Sequence, residues 1–206
     1  MKPKLAIIGD GNVGTAIQAG AKRAGYEART TGKDPEQVRK LGAWGDVIVL
    51  AVPFGERANA IKELGKVDGK TVVDVTNAMD DQGYAGDVRK SGAESVQEMA
   101  EGARVVKAFN TVFAQTMGTG MAAGETLTLF VAGDDATAKG QVIDLGNAIG
   151  FTAIDAGPLQ NARWLETLGY LNIQLGYAQK YGTDIGFRLV GVSRQETATV
   201  PTGRLR

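Results

Sequence analysis

The sequence predicts an α/β protein: a doubly wound, mostly parallel sheet followed by a small helical C-terminal segment. Three observations carry this expectation. Short, near-continuous apolar runs recur through the first 155 residues. Between them lie stretches whose apolar residues have helical spacing. The first run leads directly into a glycine-rich turn at the head of such a stretch, "IIGDGNVGTAI" (7–17). Strands that are apolar on both faces belong in a sheet covered by helices on both sides.

The elements follow in order. "KLAII" (4–8) stops at Gly9. From there Val13, Ala16, Ile17, Gly20, Ala21 and Ala24 form a helical face of small and apolar residues that can lie close to a sheet. Gly25 suits the position just past that helix. Only Gly25-Tyr26 links it to the second strand, which should therefore finish near Thr31. Asp34-Pro35-Glu36-Gln37 then offers an N-cap, a proline at the first helical position and a glutamine at the third. "DVIVLAV" (46–52), "KTVVDVT" (70–76), "ARVVKAF" (103–109) and "TLTLFVA" (126–132) read as further buried strands. Ser95-Val96-Gln97-Glu98 reads as a capping box that starts a helix. Beyond Asp134, residues Ala138, Val142, Leu145 and Ile149 form another helical stripe.

The last piece differs. "GPLQNARWLETLGYLNIQLGYAQKYG" (157–182) has helical length and two apolar stripes, one with Leu165, Leu168, Leu171 and Leu175, the other with Tyr170, Ile173, Tyr177 and Tyr181. A helix apolar on more than one face is buried on more than one side. The expectation is a nucleotide-binding domain over 1–155 and a helical segment over 156–206 that forms the substrate pocket and the contacts of a homodimer. The tail "VSRQETATVPTGRLR" is expected to be flexible.

Composition narrows the chemistry. The 206 residues carry no net charge, no Cys and no His. That removes thiolate and imidazole catalysis, disulfides, and Cys- or His-based metal sites. Nothing points to nucleic acid or an anionic membrane. The N-terminus reaches Gly and Asp too early for a secretory leader, and "VIVLAVPF" is too short to span a bilayer. The expectation is a soluble cytoplasmic protein without a metal site.

The glycine-rich turn is the strongest chemical signal. Gly9, Gly11 and Gly14 form GxGxxG between a strand and a helix, the context its mechanism needs. Gly9 permits the tight turn, Gly11 lets the backbone approach a diphosphate, and Gly14 lets helix and strand pack closely. This is the fingerprint of a Rossmann-type dinucleotide site. Asp34 lies about 20 residues beyond Gly14, the spacing of the acid that holds the ribose in NAD-preferring proteins. Its capping role explains it better. What remains at the strand end is Thr31, Gly32 and Lys33, groups suited to the extra phosphate of NADP. Ala51, Val52 and Pro53 end one later strand and can pack on the adenosine or the nicotinamide ribose. Thr76 and Asn77 end the next and can hydrogen-bond ribose or carboxamide. Ala108 is a further cofactor-binding candidate, and Asn110 follows near the nicotinamide as an orienting residue; Phe109 reads as core. Trp164 and Leu168 are candidates for a pocket wall.

Six segments in order, "GDGNVG", "TTGK", "VVKAFNT", "VAGDD", "DAGPLQNARWLETL" and "GTDIGFRLVG", make the chain resemble the coenzyme F-420 (deazaflavin)-dependent NADP oxidoreductases. The resemblance runs from about residue 4 to about residue 191. It implies a dimeric Rossmann protein with NADP across the sheet edge and a second redox partner on the nicotinamide. It places Gly9, Asp10, Gly11, Asn12 and Val13 on the dinucleotide, and Thr31, Gly32 and Lys33 around the 2′-phosphate. The family often has Ser and Arg where Gly32 and Lys33 stand, and often His where Asn110 stands. "KAFN" also occurs in relatives that resemble the cytosolic reductase domain of the six-transmembrane metalloreductases, which use NADPH with flavin or ferric iron. The second substrate thus stays open between deazaflavin F-420, FMN or FAD, and chelated iron.

Hydride transfer between two bound rings needs orientation and dryness, with reacting carbons about 3–3.5 Å apart, rather than a side-chain acid or base. A chain without His or Cys can supply that while the cofactors carry the chemistry. The competing readings are an NADPH-dependent ferric or flavin reductase and a non-catalytic NADP-binding sensor.

Overall fold

The computed structural model describes residues 1–87 and 89–192. Its main sheet has seven strands: β1 (Leu5–Ile8), β2 (Ala28–Thr31), β3 (Val47–Leu50), β4 (Thr71–Asp74), β5 (Arg104–Lys107), β6 (Thr128–Gly133) and β7 (Thr152–Asp155). Their spatial order is β7-β6-β5-β4-β3-β1-β2. β1 pairs in parallel with β2 and β3, and the parallel ladder continues through β4 to β5. β6 then runs antiparallel to β5, and β7 parallel to β6. The connection from β5 to β6 holds only the short helix Ala114–Met117 and a two-stranded hairpin, so it turns the chain around instead of carrying it back along the sheet. The fold is the Rossmann-type α/β arrangement that the strand and helix pattern predicts. The expectation for the tail from Val192 onward lies outside the described residues, Val192 itself excepted.

Strand side chains alternate between two cores. Leu5, Ile7, Val47 and Val49 face one side with Ile17, Val142 and Phe151. Ala6, Ile8, Ile48 and Leu50 face the other with Val38, Ile61 and Val96. Each fully buried aliphatic side chain contributes about 1.5–3 kcal/mol, so strands apolar on both faces are stabilised by a helical layer on each side. Helix α1 (Asn12–Arg23) covers the first face, with Gly14, Ile17, Gly20 and Ala21 buried. α2 (Pro35–Trp44) and α3 (Arg57–Leu64) cover the second. Asp34 caps α2 by accepting from the Gln37 N–H at 2.9 Å, with Pro35 at the first helical position, as the sequence suggested.

The capping box lies one turn earlier than expected. Helix α4 spans Gly92–Met99, and Ser91 with Glu94 makes the reciprocal bonds, not Ser95 with Glu98. Ser95 instead donates to the Ser91 carbonyl from inside the first turn. The earlier start is selected by a distant residue: Glu166 accepts from the Gly92 and Ala93 N–H groups at 2.9 and 3.2 Å. Helix α5 (Ala114–Met117) is the short one named above, and α6 (Ala136–Ile149) carries the expected stripe, capped by Asp135.

Helix α7 spans Ala162–Ile173 and continues as a π-turn only to Ala178, so it is shorter than the 157–182 expectation. Its buried face is also different. Ala162, Leu165, Glu166, Gly169 and Asn172 face inward. Of the expected leucine stripe, Leu165 is buried and Leu171 is 49% exposed. Trp164, Tyr177 and Tyr181 are more than half exposed. Small and polar residues let the helix lie on the polar strand ends, and the aromatics are left outside.

Arg163 on α7 donates to both Glu94 oxygens, at 2.8 and 2.5 Å, joining α7 to α4. The hydrogen bonds from Arg163 hold the Glu94 carboxyl down at about 2, against its ordinary 4.5. A depressed carboxyl stabilises the fold above its unfolded value and loses that contribution as pH falls towards its folded value. Stability measured by urea unfolding should show wild type losing its advantage over Glu94→Gln between pH about 5 and pH about 2. An advantage independent of pH across that range would contradict the assignment.

Candidate functional site

The order reverses direction around β1: β2 lies on one side and β3 on the other. In an open α/β sheet, that switch point leaves a crevice beyond the carboxyl ends of the strands, where ligands bind. A cleft of about 250 Å³ occupies this place. Gly9, Asp10 and Gly11 line it after β1, Gly32 and Lys33 after β2, and Ala51, Val52 and Pro53 after β3. Eight residues proposed from the sequence thus meet in one crevice.

The three glycines have three distinct physical reasons. Gly9 has φ 115° and turns against Ala51, where a Cβ would overlap the Ala51 carbonyl. A Cβ on Gly14 would overlap the Gly9 carbonyl, so α1 could not approach the turn. Gly11 is different: its φ is −74°, open to any residue, and a Cβ there would meet nothing within 4 Å. The protein itself therefore places no demand for glycine at this position. A ligand brought close to the backbone would. Gly11 is also the N-cap of α1, with no side-chain cap and no acidic residue in the first turn. The helix start keeps its N–H groups and positive dipole end for an anion. Asn12 is exposed and Val13 half-buried at this helix start. These features fit a dinucleotide diphosphate.

The notch beside β2 is less basic than the sequence implied. Thr31 is half-buried and lines a shallow neighbouring groove with Gln37, Lys40 and Trp44 rather than the cleft. Lys33 reaches Glu56 at 3.6 Å, both side chains well exposed. Glu56, Asn59 and Glu63, from α3 and the turn before it, also line the cleft. Sequence reading missed them, although their spacing places them on one helical face.

The remaining expected residues gather at the ends of β4 and β5, outside that cleft. Thr76 and Asn110 are buried, and Asn77 is half-buried. Asn110 donates to the Leu165 carbonyl at 2.8 Å and approaches Asn77 Oδ1 at 3.4 Å. Thr76 Oγ1 and Asn110 Oδ1 are buried with no partner among the described residues. Unpaired buried polar atoms cost about 1–3 kcal/mol each, which marks this end as built for something more than packing. α7 closes over it through Gly169, where a Cβ would sit 2.5 Å from Asn77 Oδ1 and 2.7 Å from Asn110 Nδ2. Ala108 is fully buried in the core, so its side chain offers no surface to a ligand. Phe109 is core as expected, edge-on to Phe151, but in a left-handed conformation with φ 65°. Such a turn costs about 1–2 kcal/mol in a bulky residue and directs Asn110 towards α7. Trp164 is 62% exposed and Leu168 half-buried; neither lines the cleft.

Beneath these residues lies a charge cluster that sequence reading passed over. Lys107 is fully buried and donates to Asp74 at 3.0 Å and to the Thr76 carbonyl at 2.7 Å, with Glu166 at 3.0 Å. Asp74 also accepts from the Thr76 N–H at 2.9 Å, which shapes the turn after β4. Arg57, 7% exposed, completes two cations and two carboxylates. Burial pushes its guanidinium down from its ordinary value, and Asp74 and Glu166 hold it up. A Lys and an Asp ending two otherwise apolar strand runs were the available signal, since buried charges are paired.

Among the described residues no cluster of three or more His, Cys, Asp or Glu is arranged to hold a metal ion, and no helix is long and apolar enough to cross a membrane. No protein-family model matches the chain. It is 28% identical over 180 residues to the metalloreductase STEAP3 of Rattus norvegicus, covering 81% of this chain and 36% of that protein. The chain thus spans about a third of the length of that relative. Among solved structures, a candidate F420-dependent NADP reductase from Arthrobacter sp. FB24 has a TM-score of 0.82 and 26% identity, over 91% of this chain and 99% of that one. The hypothetical protein SMa0349 from Sinorhizobium meliloti has a TM-score of 0.62 and 30% identity, over 77% and 86% of the two chains. In motif, sequence and fold, the chain is similar to a candidate F420-dependent NADP reductase over nearly its whole length and to about a third of a metalloreductase, and its fold is the Rossmann-type NADP-binding arrangement.

Proposed function

We propose that the chain passes hydride between NADP(H) and a second redox cofactor, deazaflavin F-420 or a flavin such as FMN or FAD. The carrying observation is the open face of Gly11 at an uncapped helix start, in the switch-point crevice. The amides at the head of α1 would hold the diphosphate. Ala51, Val52 and Pro53 would give the adenosine half an apolar wall. Half-buried Asn77 would face the nicotinamide end, with the buried Thr76 and Asn110 beside it setting its position. When bound, NADPH supplies the hydride. The protein supplies position and dryness, and α7 over Asn77 and Asn110 excludes water there. Segment 156–206 would form the acceptor side. The exposed Trp164, Leu171, Tyr177 and Tyr181 support a homodimer contact on its outer face. A cytoplasmic location fits this chemistry.

The metalloreductase match favours a second reading, in which chelated ferric iron or flavin is the acceptor. One anaerobic assay separates them: NADPH with F-420, FMN, FAD or chelated ferric iron, followed at the nicotinamide absorbance. Oxidation with F-420 or flavin is the expected result. Oxidation with iron alone would transfer the proposal to the second reading, and tight binding without oxidation by any acceptor would make the chain a sensor.

A further inference from the structure

The cleft that should receive the adenosine end carries an unexpected charge balance. Its lining includes one cation, Lys33, and three carboxylates, Asp10, Glu56 and Glu63. Lys33 already has Glu56 beside it at 3.6 Å. Asp10 stands between the first two glycines of the turn and leans across to the end of β2. A Cβ built on Gly32 would lie 3.0 Å from Asp10 Oδ2 and 3.4 Å from Oδ1. The Asp10 carboxylate therefore rests on the one residue flanked by Thr31 and Lys33, in the notch assigned to the 2′-phosphate. Asp10 is exposed and takes no hydrogen bond or ion pair among the described residues. Asp34, the acid at the usual ribose spacing, is committed to the Gln37 N–H.

A carboxylate accepts hydrogen bonds from a ribose hydroxyl. It repels a phosphate monoester, which carries a charge of about −1.5 to −2 at neutral pH. We infer that Asp10 is a specificity-determining residue that accepts from the adenosine 2′-hydroxyl and opposes the 2′-phosphate, so that the chain takes NAD(H) alongside NADP(H). Lys33 pulls the other way, and Glu56 partly neutralises it. Gly32 makes room for this arrangement: a Cβ there would press on the Asp10 carboxylate and shift it by a few tenths of an ångström. The inference rests on the dinucleotide reading of the cleft and refines it.

Equilibrium titration with NADPH and NADH, read by nicotinamide fluorescence, tests it without any acceptor. Wild type should bind both, with affinities within about tenfold of each other. Asp10→Asn keeps the shape and removes the charge. It should tighten NADPH by about tenfold and leave NADH unchanged or a few-fold weaker. Lys33→Ala should weaken NADPH and leave NADH nearly unchanged. The Asp10→Asn gain should shrink as salt rises from about 0.1 M to about 1 M, because screening shortens from about 10 Å to about 3 Å. A purely structural role for Asp10 would shift both dinucleotides together and would not respond to salt. An unchanged NADPH-to-NADH ratio in Asp10→Asn overturns this inference while the dinucleotide reading stands. If wild type binds neither, both fall.

Discussion

Gly11→Val is expected to leave the protein folded and to weaken NADPH binding by about 100-fold or more. The three glycines of one motif differ in what surrounds them. A Cβ on Gly9 or Gly14 collides with backbone carbonyls, so substitution there damages the turn itself. A Cβ on Gly11 meets no protein atom within 4 Å, and its backbone is extended, with φ −74° and ψ −170°. Valine adopts that conformation without strain. The stability loss should stay near the helix-cap cost of about 1 kcal/mol. The valine methyl groups would nonetheless fill the space over the α1 amides that a diphosphate needs. Thermal denaturation and an NADPH titration on the same sample check both halves. A variant that binds as tightly as wild type would mean that the open face of Gly11 is not where the cofactor sits.

Lys107→Met is expected to destabilise the protein by about 3–5 kcal/mol. Lys107 is the shared partner of two carboxylates, Asp74 and Glu166, both almost completely buried. Removing it leaves two buried negative charges with Arg57 as the remaining nearby cation, and it strips the donor from the Thr76 carbonyl. The expected fall in Tm is on the order of 10 °C for a chain of this size. Adding Glu166→Gln to Lys107→Met should recover part of the loss, because one uncompensated charge is then gone. A double variant as unstable as the sum of the two singles would mean that Lys107 and Glu166 are not coupled. The consequence for function is positional. The cluster ties the ends of β4 and β5 to α3, α4 and α7, and Thr76, Asn77 and Asn110 project from those same strand ends.

What was legible in the sequence was local. The near-continuous apolar strands, the glycine turn and the Asp34 cap are all decided by residues within one turn or one strand of each other. The crevice followed from them, because a switch point gathers strand ends wherever the connections place it. What was hidden depended on distant partners. Ser91 and Ser95 each begin an S-x-x-E pattern, and distant partners favour the earlier one: Glu166 caps Gly92 and Ala93, and Arg163 holds Glu94. The inward face of α7 is small and polar because it lies on polar strand ends; helical periodicity alone points to its leucines instead. Lys107 and Asp74 were read as parts of apolar runs, since nothing adjacent to either identifies its partner. Asp10 was legible as a loop residue, yet its lean onto Gly32 arises only when β1 and β2 are paired.

The most direct measurement of the central claim is a crystal structure of the protein grown with saturating NADPH. The account predicts the diphosphate against the amides of Asn12 and Val13, over Gly11, with the adenosine between Gly32 and the Ala51–Pro53 strand end. Density for the dinucleotide elsewhere on the molecule, or an ordered crevice that stays empty at millimolar NADPH, would contradict it.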